Sequence, residues 1–111
     1  MVLQKLFKIA TNKNQSRIWI EGAILTSNGF KKGDEFNKVI NSKDNMIILS
    51  FRKTDEKFLK FNHKIAGTDQ RPIIDMNGKY LTDFFKDYSR YSAMFTDKSY
   101  STRTIIIQGV L

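Results

Sequence analysis

With 111 residues, 41% of them hydrophobic and 27% charged, the chain is one domain's worth of sequence in the ordinary globular range. It carries 19 Lys and Arg against 11 Asp and Glu, a net charge of +8, which favours a polyanionic partner, nucleic acid first among them. The absence of cysteine excludes disulfides, thiolate zinc sites and cysteine nucleophiles, and no apolar run approaches the length of a membrane span.

The opening stretch from Met1 to Ala10 is interrupted by Lys5 and Lys8, so it reads as a strand around Leu6 to Ala10 rather than a signal peptide, and a soluble, cytoplasmic protein is expected. Ile18 and Ile20 alternate with Arg17, Trp19 and Glu21, the period of a half-buried strand. Gly22 breaks that strand, and Ala23 to Asn28 give a short helix with Ile24 and Leu25 inward. Gly29 stands where a helix commonly ends in a left-handed residue, with Phe30 as the apolar contact of the cap. A tight turn over Lys31, Lys32, Gly33 and Asp34 leads to a strand from Glu35 to Ile40, a polar loop over 41–45 and a returning strand from Met46 to Phe51. A basic turn at 52–57 follows, then a strand near Phe61 to Ala66 that ends at Gly67. Pro72 opens an apolar strand at a position where its missing N–H is tolerated. A short helix follows, and Tyr91 to Thr96 with Ser101 to Gln108 form a closing hairpin whose tip lies at 97–100.

The two halves of this series correspond. Ile18, Gly22, Leu25 and Thr26 recur as Ile74, Gly78, Leu81 and Thr82, and the apolar run from Met46 to Leu49 recurs as Thr104 to Ile107. The expected organisation is a single domain, 1–111, made of two internal repeats at about 1–51 and 58–111. Neither half is long enough to fold comfortably alone. The second copy lacks both turn glycines of the first, having Phe85 to Arg90 in place of Gly29 to Asp34.

Arg17 to Gly22, the short helix, Gly29 to Asp34 and the strand ending Ile47, Ile48, Leu49 resemble the SymE branch of the AbrB-like superfamily. The first copy carries the resemblance over 17–50, and the second over 72–84 and its final strand. The resemblance implies a mostly β fold with short helices, in which two βαββ repeats form a swapped-hairpin β-barrel, a pseudo-dimer in one chain. It also implies nucleic-acid binding, as in a regulator or a toxin–antitoxin component.

For such a role the candidate contacts are the cations placed on loops and strand ends: Arg17, Lys31, Lys32, Lys43, Arg52, Lys53, Lys64, Arg71, Lys86 and Arg90, with Lys98 and Arg103 as looser counterparts. DNA is favoured over RNA, and the protein is expected as a monomer or homodimer. The alternative is a small phage or mobile-element inhibitor or adaptor that binds a host nucleic-acid-processing or defence protein, using the aromatics Trp19, Tyr88, Tyr91 and Tyr100. Asp34 is expected to bond its own turn rather than take part in catalysis. His63 is the only histidine, and no nucleophile, metal-ligand or phosphate-loop motif appears. No enzyme activity, metal or cofactor is expected.

Overall fold

A computed structural model describes residues 3–52, 59–96 and 103–111. The fold is mostly β with two short helices. In chain order the elements are β1 (Leu3–Lys8), β2 (Ala10–Asn12), β3 (Gln15–Glu21), α1 (Ala23–Thr26), β4 (Glu35–Asn41), β5 (Met46–Phe51), β6 (His63–Lys64), β7 (Ala66–Gly67), β8 (Pro72–Asn77), α2 (Lys79–Phe84), β9 (Arg90–Phe95) and β10 (Thr104–Val110).

The alternating patterns produce strands because each buries one face. Ile18 and Ile20 of β3 and Ile74 and Met76 of β8 are buried, as are Ile47, Leu49 and Phe51 of β5 and Ile105 and Ile107 of β10. Together with Leu25, Leu81, Phe30, Phe36, Phe85 and Phe95 they form one apolar cluster. Fully burying a side chain of this size contributes about 1.5–3 kcal/mol, so the cluster is what opposes the entropy of ordering so many short strands. The Gly29 expectation holds: its φ is 82°, and the Phe30 N–H then bonds the Leu25 carbonyl at 2.9 Å while the Phe30 ring enters the core. Both helices lie against β3, and α1 touches β8 as well.

All pairings are antiparallel and make two sheets, one of six strands in the order β1-β9-β10-β5-β4-β6 and one of four in the order β2-β3-β8-β7. Both are open sheets, with β1 and β6 as edges of the first and β2 and β7 as edges of the second, so the described strands do not close into a barrel. Each order also reads the same from either end once every strand is exchanged with the one five places away in the chain.

The strands expected at Leu6 to Ala10 and Phe61 to Ala66 are each divided. Ile9 alone separates β1 from β2, and Ile65 alone separates β6 from β7. At these residues the chain leaves the six-stranded sheet and enters the four-stranded one. The Ile65 N–H bonds the Asp34 carbonyl at 2.9 Å, and the Ile9 N–H bonds the Ser89 carbonyl at 3.3 Å. A main-chain group that leaves one ladder must find another partner, and here the residue just before the neighbouring hairpin supplies it. The tip expected at 97–100 lies outside the described residues, as does most of the joining turn.

Candidate nucleic-acid interface

The basic candidates fall into two groups. The arginines of the first group are committed to carboxylates. Arg17 lies on the outward face of β3, where its Nε and Nη2 donate to the two carboxylate oxygens of Asp75 at 2.7 and 2.9 Å. Its guanidinium also lies 4.3 Å from the Trp19 ring centroid. That forked pair holds the Asp75 carboxyl below its ordinary pKa and raises that of Arg17, as charge-assisted bonding to an ionised partner should. Arg71 pairs with Glu21 at 3.0 Å on the same sheet face. Arg52 donates to Glu35 at 2.9 Å and to the Leu59 carbonyl at 2.8 Å, its guanidinium 4.4 Å from the Phe61 ring.

Arg103 is tied most thoroughly. It donates to Asp34 at 3.0 Å and to the Gly29 carbonyl at 2.6 Å, and it lies 4.6 Å from the Phe30 ring. The Asp34 carboxylate also accepts the Lys31 N–H at 3.0 Å. Asp34 thus closes its own turn and anchors an arginine from the far hairpin.

The second group is exposed and makes no ion pair among the described residues: Lys31, Lys32, Lys43, Lys64, Lys86 and Arg90. Lys31 and Lys32 sit side by side in the turn before β4, and Lys43 is in the turn between β4 and β5. Lys64, on the six-stranded sheet's edge, is opposite Glu35. Lys53 lies outside the described residues.

Arg90 has a neighbour that sequence reasoning did not select. The register of β1 on β9 places Lys8 directly opposite Arg90, so two cations stand on one face of the sheet, and neither forms an ion pair among the described residues. Like charges directly opposite are destabilising in a sheet. They border a recess of about 470 Å³ lined by Lys8, Ile9, Ser89 and Arg90. At the other edge the matching register pairs Lys64 with Glu35, which is itself bonded to Arg52. One edge of the sheet therefore has an acid in its cross-strand register and the other has two cations. The only signal for Lys8 was its place in the opening strand; its partner is set by the fold.

The aromatic candidates separate as well. Trp19 is half-buried on the outward face of the four-stranded sheet, opposite Asp75. Tyr88 is half-buried against the core. Tyr91 is fully buried, stacked on Phe7 and Phe85 with ring centroids 5.3 and 5.7 Å away, so its ring belongs to the core and not to a partner-facing surface. Tyr100 lies outside the described residues. Among the described residues no three His, Asp or Glu side chains gather as a metal-ligand set, and no helix is long and apolar enough to cross a membrane. No protein-family model, no curated protein and no solved structure matches this chain.

Proposed function

We propose that the chain binds nucleic acid, DNA in preference to RNA, through the cations that have no carboxylate partner among the described residues. The observation that carries this reading is the facing pair Lys8 and Arg90 beside its recess. Two opposed cations repel each other unless an anion lies between them, and a phosphodiester supplies one without the desolvation a buried carboxylate would need. Lys31, Lys32, Lys43 and Lys86 extend the same unneutralised charge over the surface.

The architecture behind this reading is a pseudo-dimer of two βαββ units that exchange edge strands, as the AbrB-like resemblance implies. The palindromic strand orders support it, because β1 pairs with β9 of the other half and β6 with β4. A regulator or toxin–antitoxin component is the class of protein this describes.

The test is fluorescence anisotropy of labelled duplex DNA, single-stranded DNA and RNA across a salt series. The expected result is duplex binding that weakens with salt at a log–log slope of roughly −0.9 per phosphate contacted. Lys8→Glu with Arg90→Glu should weaken binding at least tenfold, on the order of 1.4 kcal/mol, whereas Arg71→Gln should leave it nearly unchanged. Equal effects of the two changes would overturn the assignment.

A second reading, capture of a host protein by a small inhibitor or adaptor, is favoured by Trp19. It is a partly exposed tryptophan flanked by the Arg17–Asp75 and Arg71–Glu21 pairs, the residue types that anchor protein interfaces. Trp19→Ala should then abolish partner capture while leaving DNA affinity unchanged.

A further inference from the structure

Ile9 and Ile65 each carry the chain directly from the six-stranded sheet to the four-stranded one, and these two crossings are built alike but charged differently. At one, the Ile9 N–H bonds the Ser89 carbonyl; at the other, the Ile65 N–H bonds the Asp34 carbonyl. A lysine precedes each, and the ladders set Lys8 opposite Arg90 and Lys64 opposite Glu35. Ser89 and Arg90 therefore stand where the other crossing has Asp34 and Glu35. The exchange removes two acids and adds a cation.

The two places differ accordingly in what they lack. At Ile65 the chain supplies both signs of charge, because Asp34 accepts from Arg103 at 3.0 Å and Glu35 from Arg52 at 2.9 Å. At Ile9 the chain supplies cations. Lys8 and Arg90 make no ion pair among the described residues, and neither does Asp87, the acid nearest to them in sequence. The Ser89 hydroxyl makes no hydrogen bond among the described residues.

We propose that the crossing at Ile9 binds one phosphate group and that the crossing at Ile65, closed from within by Asp34 and Glu35, binds none. The chain then takes a nucleic-acid backbone at one end of its six-stranded sheet and not at both. This site rests on the nucleic-acid reading for the source of its phosphate. A phosphodiester oxygen accepts hydrogen bonds and donates none, so its partners must be donors. The Arg90 guanidinium, the Lys8 ammonium and the Ser89 hydroxyl are donors of the kinds that hold phosphate. The planar fork of Arg90 suits two oxygens at once, while Lys8 adds a point charge. They border a recess of about 470 Å³, a size that admits a small ligand. At Ile65 a phosphate would meet two carboxylates and would have to displace them from their arginines.

Titration of the whole isotopically labelled chain with inorganic phosphate, followed by amide chemical shifts, tests this, with sodium chloride at matched ionic strength as the blank. Phosphate should move the Ile9, Ser89 and Arg90 amides with a roughly millimolar midpoint and leave Asp34, Glu35 and Ile65 unmoved. A short duplex DNA should move the same amides at lower concentration. Arg90→Glu, which copies the residue of the other crossing, should weaken phosphate binding about tenfold, with the amide spectrum elsewhere unchanged. Lys79→Glu alters the net charge equally, at a residue paired with Asp83, and should leave the midpoint within about twofold of the parent. Equal shifts at both crossings, shifts reproduced by chloride, or equal losses in the two variants would each overturn the proposal. Phosphate binding at Ile9 without duplex binding would overturn the nucleic-acid reading alone. Duplex binding that leaves these amides unmoved would overturn the site alone.

Discussion

Tyr91 stacks on Phe7 with ring centroids 5.3 Å apart and planes 14° apart, and His63 stacks on Phe36 at 5.3 Å and 18°. These are the ring pairs at the two edges of the six-stranded sheet, and each contains one ring that suits its place less well than phenylalanine would. The Tyr91 hydroxyl is buried, with no partner in hydrogen-bonding geometry among the described residues. The Trp19 main chain lies close enough to favour the phenolate slightly, but burial outweighs it and raises the pKa of the phenol. Removing an unsatisfied buried hydroxyl relieves its desolvation cost, so Tyr91→Phe should be neutral or stabilise by about 1 kcal/mol, measured by denaturant unfolding.

His63 is shifted down from its ordinary pKa, first by burial and then by the nearby charge of Lys38. The unfolded chain therefore binds the proton more readily than the folded one. Stability is complete above the unfolded-state pKa of about 6.5 and is lost as pH falls from there through the lower folded-state value. His63→Phe, which copies the Phe7 ring at the opposite edge, should remove that loss. Unfolding free energies at neutral and at mildly acidic pH, taken for both proteins, would show a smaller difference in the variant.

At the scale of elements, β10 depends on a glycine for a reason of space. A Cβ built on Gly109 would come within 2.6 Å of the Tyr88 ring, which covers the strand there. Gly109→Ala must move that ring or the strand and should cost about 1–3 kcal/mol, read as a lowered midpoint of unfolding. Two strands were legible in the sequence to within one or two residues: β3 from the alternation of Ile18 and Ile20, and β5 from the apolar run Met46 to Leu49 that follows a polar loop. The strand expected near Phe61 to Ala66 was legible in place but not in its division into β6 and β7, because His63-Lys64 and Ala66-Gly67 carry no alternation of their own. They are strands only because β4 and β8 offer them partners. The charge of the site was legible, but its pairing was not. Arg17 meets Asp75 and Lys8 meets Arg90 across long spans of sequence, and only the register decides which cation finds an acid and which finds another cation.

At the scale of the whole molecule, charge and apolar surface are kept apart. The four-stranded sheet carries Arg17 and Arg71 in ion pairs around Trp19, the middle of the six-stranded sheet's outer face is uncharged, and the cations without an ion pair among the described residues occupy the turns and both edges of that sheet.

The crossing residues Ile9 and Ile65 bear on how the molecule is made. β1 is synthesised long before β9, its ladder partner among the described residues, with Leu3 opposite Phe95. At the usual rate of about 5–20 residues per second, that partner follows on the order of ten seconds later. Throughout that interval the nascent chain carries an unpaired strand bearing Leu3, Leu6 and Phe7. Lys5 and Lys8, spaced through that segment, are charges of the kind that keep an unpaired apolar strand from adding to another chain.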